Sequence, residues 1–155
     1  MDKEFLTLAA EEAIQSVTNN LGGPFGAVIV QNGQVIGKGT NRVTSTNDPT
    51  AHAEIVAIRE ACRNTKSFHL SGAVLYTSCE PCPMCLAAIY WAGIQTVYYG
   101  ADKEDAKNMG FDDKFIYEQL VLPIEEREVS MVRLEVPMVK ELQKIWEEKE
   151  DKIPY

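Results

Sequence analysis

The stretch Ala73-Val74-Leu75-Tyr76-Thr77-Ser78, followed at once by Cys79-Glu80-Pro81-Cys82-Pro83-Met84-Cys85, decides how this chain folds. Its first six residues are mostly apolar and β-prone, which predicts a strand in the middle of a sheet. From Pro81-Cys82 the pattern turns helical and stays so to about Ala92. A central strand that feeds directly into a helix is a building unit of α/β domains.

Upstream, Phe25–Val30 and Gln34–Gly39 are two short β-prone runs separated by Gln31-Asn32-Gly33. Asn-Gly between such runs predicts a hairpin, so these are the first two strands. Before them, Asp2 to about Asn20 carries Phe5, Leu8, Ala9, Ala13, Ile14 and Val17 near helical spacing, and Leu21-Gly22-Gly23-Pro24 ends that helix. After the hairpin comes a polar loop, Thr44–Asn47, and then Asp48-Pro49. These two read as the N-cap and first residue of a helix running to about Thr65. Downstream, Thr96–Gly100 predicts a fourth strand, Lys103–Asn108 and Asp113–Leu120 short helices, and Val129–Val136 a fifth strand. Pro137 opens a last helix with Val139, Leu142, Ile145 and Trp146 on one face. Strands alternating with helices imply a three-layer α/β/α fold around one five-stranded mixed sheet.

A length of 155 residues suits one domain with a core of its own. Hydrophobic residues at 45% and charged residues at 25% exclude a disordered or fibrous chain. Fifteen basic against twenty-three acidic residues give a formal charge of −8, which disfavours a general nucleic-acid binder. No apolar run of membrane-spanning length and no signal segment is present, so a cytoplasmic protein without membrane partners is expected. Three of four cysteines fall within seven residues, Cys79, Cys82 and Cys85, which suits a metal site better than disulfides in a reducing compartment.

The chemistry sits in two pieces, His52-Ala53-Glu54 near the start of one helix and Pro81-Cys82-Pro83-Met84-Cys85 at the start of the next. Thiolate and imidazole are zinc ligands by softness and charge. Cysteines three apart share a helix face, and a helix N-terminus favours their thiolate forms. His52, Cys82 and Cys85 make three protein ligands for one zinc ion per chain, and a catalytic zinc keeps its fourth position for water. Glu54 lies awkwardly for joint ligation and is better placed as a proton acceptor beside that water. A lone C-x-x-C is also compatible with a structural half-site or a redox pair. Cys79 as a fourth ligand would close the site and make it structural, although its place in the strand-to-helix turn points it elsewhere. Cys62 and His69 read as an ordinary helix residue and loop residue.

H-x-E with a following P-C-x-x-C is a known signature of zinc deaminases, in which the Glu is a general acid/base and not a ligand. At these residues the sequence resembles the cytidine deaminase-like superfamily. Pro49–Glu54 and Thr77–Cys85 match its purine-acting branch, and the fit is closest to the bacterial guanine deaminases. Gly22–Val30, Ala88–Ala92, Gly110-Phe111-Asp112-Asp113 and the terminal Tyr155 support that likeness along nearly the whole chain. The resemblance implies hydrolytic deamination of guanine to xanthine and ammonia, with Glu54 moving protons and Asp113 assisting the departing amine. It also implies that Asn41 hydrogen-bonds the purine, that Phe25 and Trp91 wall the ring, and that the Ala53 backbone makes a polar contact. Each has a plainer alternative: Asn41 as a loop cap, Phe25 and Trp91 as core, Asp112 and Asp113 as a solvated helix cap.

In guanine deaminases of this type the last helix and tail cross to the partner subunit. The resemblance therefore implies a homodimer in which residues from about 137 to 155 are swapped and Tyr155 seals the partner's site; exchange of a helix is a low-cost route to a dimer. The alternative is a helix folded back on its own subunit. Three rival functions share some of these features. A tRNA adenosine deaminase has the same zinc motifs but needs a basic surface. A deaminase of another small ring, such as cytosine or a nucleoside, differs only in its pocket wall. A non-catalytic zinc module would need four protein ligands and no Glu54.

Overall fold

In the computed structural model, which describes residues 1–155, Asn32 and Gly33 both take positive φ and fold β1 (Gly26–Gln31) back on β2 (Gln34–Thr40). β3 (Val74–Cys79) pairs antiparallel with β1, and β4 (Thr96–Ala101) runs parallel to β3. The sheet is mixed, in the order β2-β1-β3-β4.

Alternate residues of a strand point to opposite faces. Ala27, Ile29 and Leu75 form one buried cluster with Ala53, Ala57 and Ala61 of α3 (Ala53–Thr65) and Ile89 of α4 (Pro83–Trp91). Val28, Val30 and Tyr76 form the other with Ala9 of α1 (Asp2–Thr18), and Phe5 packs against it. Helices thus cover both faces, as the three-layer reading requires. A Cβ on Gly39 would stand 2.0 Å from the Ala53 carbonyl oxygen. β2 therefore meets α3 backbone to backbone, which fixes the depth of the helix end that carries His52 and Glu54.

Four expectations need correction. The sheet has four strands, because Val129–Val136 joins no ladder; its alternating pattern supplies propensity but no neighbour for its N–H and C=O groups. The second long helix starts at Ala53 with His52 as N-cap, not at Pro49. The Asp48 carboxylate accepts from the Thr50 N–H and hydroxyl, at 2.8 and 2.7 Å, so it caps a local turn and delays the helix. Within the expected loop, Val43–Thr46 forms a single helical turn, α2. On α1 the buried residues are Ala9, Ala13 and Ser16, whereas Ile14 and Val17 are exposed. The close approach of β1 decides that face: a Cβ on Gly26 would stand 2.3 Å from the Ala9 carbonyl oxygen.

The chain forms two compact units, residues 1–115 and 116–155. The first holds the sheet, α1 to α4 and α5 (Lys103–Asn108), which opens on a capping box between Asp102 and Asp105. The second holds most of α6 (Lys114–Leu120), a 3₁₀ turn at Ile124–Glu126 and α7 (Pro137–Glu148). Inside it, Arg127 donates to the Leu122 carbonyl at 3.1 Å and the Glu128 N–H to the Gln119 side chain at 2.7 Å. None of its residues is buried. No helix is long and apolar enough to cross a membrane.

Candidate metal centre and active site

α3 and α4 each begin at a side chain suited to a metal. His52 and Cys82 are their N-cap residues, both extended, at φ −68° and −66°, and no side-chain oxygen caps either helix. Both ends lie beyond the carboxyl end of β3, where open α/β sheets place their ligands. There His52 Nδ1 stands 3.5 Å from the sulfurs of Cys82 and of Cys85. All three ligand atoms lie within 4.8 Å of one another. Tetrahedral zinc with bonds of about 2.0–2.1 Å to nitrogen and 2.3 Å to sulfur sets such atoms roughly 3.5 Å apart. The spacing and the donor set both fit zinc.

The electrostatics agree. The Cys82 thiol is pushed down to about 4, chiefly by its hydrogen bond with Cys85 and further by His52. The same pairing with Cys82 pushes the Cys85 thiol up, and the Cys82 sulfur raises the His52 imidazole. The three groups compete for protons, and a shared dication removes that competition. Cys79 behaves otherwise. Burial pushes its thiol up to about 11, and its sulfur donates to the Asp102 carbonyl at 3.6 Å. It is not among the converging ligand atoms, so the group offers three protein ligands.

Glu54, two residues past His52, is only 6% exposed. Its Oε1 accepts from the Thr77 hydroxyl at 3.0 Å. Burial raises its pKa above the usual carboxylate range, and the Thr77 hydrogen bond works the other way.

Asn41 follows β2 and is buried. Its side-chain oxygen accepts from the N–H groups of Gly23 and Val43, at 3.1 and 3.2 Å, so its amino group is the end left to serve another acceptor. Ser16 holds the Asn41 carbonyl at 2.9 Å, and the Asn41 N–H donates to Phe25. A Cβ on Gly22 would fall 2.2 Å from the Asn41 oxygen, so only glycine admits this packing. The Phe25 ring meets Phe111 edge-on, with centroids 4.9 Å apart.

The two neighbouring aspartates differ. Asp112 accepts from the Lys114 N–H and pairs with Lys107 at 3.9 Å, as a surface cap does. Asp113 is half-buried, and burial followed by the Cys82 charge raises its pKa. Ala53 is fully buried; Trp91 is exposed at the end of α4, and Tyr155 is exposed in the second unit.

Sequence reading overlooked three supporting residues. Thr77 shares the strand parity of Leu75, which points it toward α3. Ser16 falls on the Ala9–Ala13 face of α1, and Gly22 was legible only as a helix breaker.

The family model of the cytidine and deoxycytidylate deaminase zinc-binding region matches residues 1–101. The chain belongs to that deaminase family. This deaminase is 52% identical over 130 residues to the guanine deaminase of Bacillus subtilis, covering 84% of the present chain and 83% of that protein. The X-ray structure of guanine deaminase from Bacillus subtilis superposes with a TM-score of 0.95 at 46% identity, over 99% of this chain and 98% of that one. A tRNA-specific adenosine deaminase of Agrobacterium fabrum is 48% identical over 97 residues, 63% of each chain.

Proposed function

We propose that this deaminase hydrolyses guanine to xanthine and ammonia, with His52, Cys82 and Cys85 holding one zinc ion. One observation carries the reading: three converging soft donors, one short of a tetrahedral set, next to a buried carboxylate that is not one of them. Guanine is favoured because the likeness to the Bacillus subtilis guanine deaminase runs the length of both chains.

When bound, zinc supplies a Lewis acid that makes water nucleophilic near neutral pH. Glu54 takes a proton from the water that adds to C2 and returns it to a ring nitrogen. Its buried, raised-pKa carboxyl suits both roles, since a shuttle works best with a pKa close to the working pH. As the C2–N bond breaks, the new C2 hydroxyl gives its proton to Glu54 and becomes the carbonyl, while Asp113, also raised, delivers a proton to the departing amine. Ammonia leaves as a neutral molecule, and proton exchange with solvent then resets both carboxyls. The Asn41 amino group donates to an acceptor on the purine edge, as its committed oxygen requires. Phe25 and Trp91 wall the ring, and the Ala53 backbone adds a polar contact at the start of α3.

The working unit is a homodimer in which residues from about 137 to 155 cross to the second copy and Tyr155 closes the partner site. The exposed Val139, Leu142, Ile145 and Trp146 of α7 support this, because such an apolar face calls for a cover. Four free cysteines fit a cytoplasmic setting.

A substrate panel tests the reading. Zinc-loaded protein releases ammonia from guanine and leaves adenine, cytosine, their nucleosides and a tRNA anticodon stem-loop unprocessed. Turnover of the RNA alone would replace guanine with the tRNA reading, which the charge of −8 disfavours.

A further inference from the structure

A hydroxyl inside an otherwise apolar sheet face needs a reason. Thr77 is fully buried on β3, between Ala27 of β1 and Tyr99 of β4. It lies on the face of Leu75, Ala27 and Ile29, which packs against α3. Valine has the same shape and would avoid burying a polar group, a cost that only a made hydrogen bond offsets. The hydroxyl donates to Glu54 Oε1 at 3.0 Å.

The two partners differ in stiffness. Thr77 is β-branched, with few χ1 choices, and its backbone is paired on both sides. Glu54 is a long, unbranched side chain on the second residue of α3, with more torsions to hold in place. We propose that Thr77 is a positioning residue: its hydroxyl pins one carboxylate oxygen of Glu54 to the sheet, so that the other faces the reacting water and purine in one fixed direction. A hydroxyl suits this role because it donates to a carboxylate without carrying a charge of its own. The inference rests on Glu54 being the proton shuttle, and it adds that the shuttle's aim is set by the strand.

The test compares Thr77→Val, which keeps the shape and removes the hydroxyl, with Thr77→Ser, which keeps the hydroxyl and loses a methyl. In Thr77→Val, kcat on guanine falls about tenfold to a hundredfold, the range for a lost hydrogen bond to a charged group, while KM changes less than about twofold. Thr77→Ser restores most of kcat although it melts at a lower temperature than Thr77→Val. Both retain one zinc per chain. Crystal structures of the zinc-loaded proteins show one Glu54 conformer in the parent and more than one in Thr77→Val. Unchanged kcat in Thr77→Val overturns the proposal, as does activity that follows melting temperature or zinc content instead of the hydroxyl. A single unmoved Glu54 conformer in Thr77→Val overturns it whatever the activity. A parent protein inactive on guanine but with the conformer change intact would instead remove the substrate reading and leave the positioning in place.

Discussion

Residues 26–31 and 129–136 are both β-prone, yet Ala27, Val28, Ile29 and Val30 are all buried whereas Val129, Met131, Val132, Leu134 and Val136 are all exposed. The first stretch has a strand on either side and a helix on each face; the second is in no ladder. Propensity is similar in the two, and neighbours make the difference. The contrast extends to the units that hold them. Residues 1–115 carry the sheet and the metal-binding side chains, and residues 116–155 display apolar surface. The donor set thus lies in the first, and only the proposed dimer gives the second the role of cover.

The largest effect expected is in the first unit. Glu54→Gln should keep one zinc per chain and lose about 10²–10⁴ in kcat, the usual worth of a positioned proton transfer. Metal content by atomic absorption beside ammonia release checks both halves, and full activity in this variant would remove Glu54 from the reaction. Next comes Cys85→Ser. Even supporting residues of a metal site cost about 10–100-fold in affinity, so loss of a ligand should exceed that. Competition with a chelator measures it; unchanged zinc affinity would mean that the three donors do not act together.

Removal of Lys152–Tyr155 sharpens the assignment of cover. Turnover should fall about tenfold or more through poorer exclusion of water, while the unfolding temperature set by the sheet stays put. An unaffected enzyme would take Tyr155 out of the site. A separate effect, on folding and not on turnover, is read in Gly39→Ala, whose methyl would press on the Ala53 carbonyl and require α3 to shift. Overpacking of this kind costs about 1–3 kcal/mol, readable as a lower urea midpoint.

Much of this was legible in the sequence. The Asn32-Gly33 hairpin, the central strand before the cysteines and the meeting of His52 with Cys82 and Cys85 all follow from local signals, because turn chemistry and ligand spacing act over a few residues. The start of α3 was misread, since Asp48 is as good at capping an Asx turn as a helix and only the Thr50 contacts decide between them. Of the residues expected on the inner face of α1, only Ile14 and Val17 turn outward, because Gly26 and Asn41 select the small residues Ala9, Ala13 and Ser16 there. Thr77 went unnoticed since a threonine in a strand looks like ordinary β propensity until a carboxylate is placed opposite it.

Because His52 and Cys82 are the N-cap residues of α3 and α4, an ion shared between them would also be a rivet through two helix ends. Stripping it with a chelator should do more than silence the enzyme: both leading turns lose their anchor together. In a cell, the lifetime of the folded chain would then follow the supply of zinc.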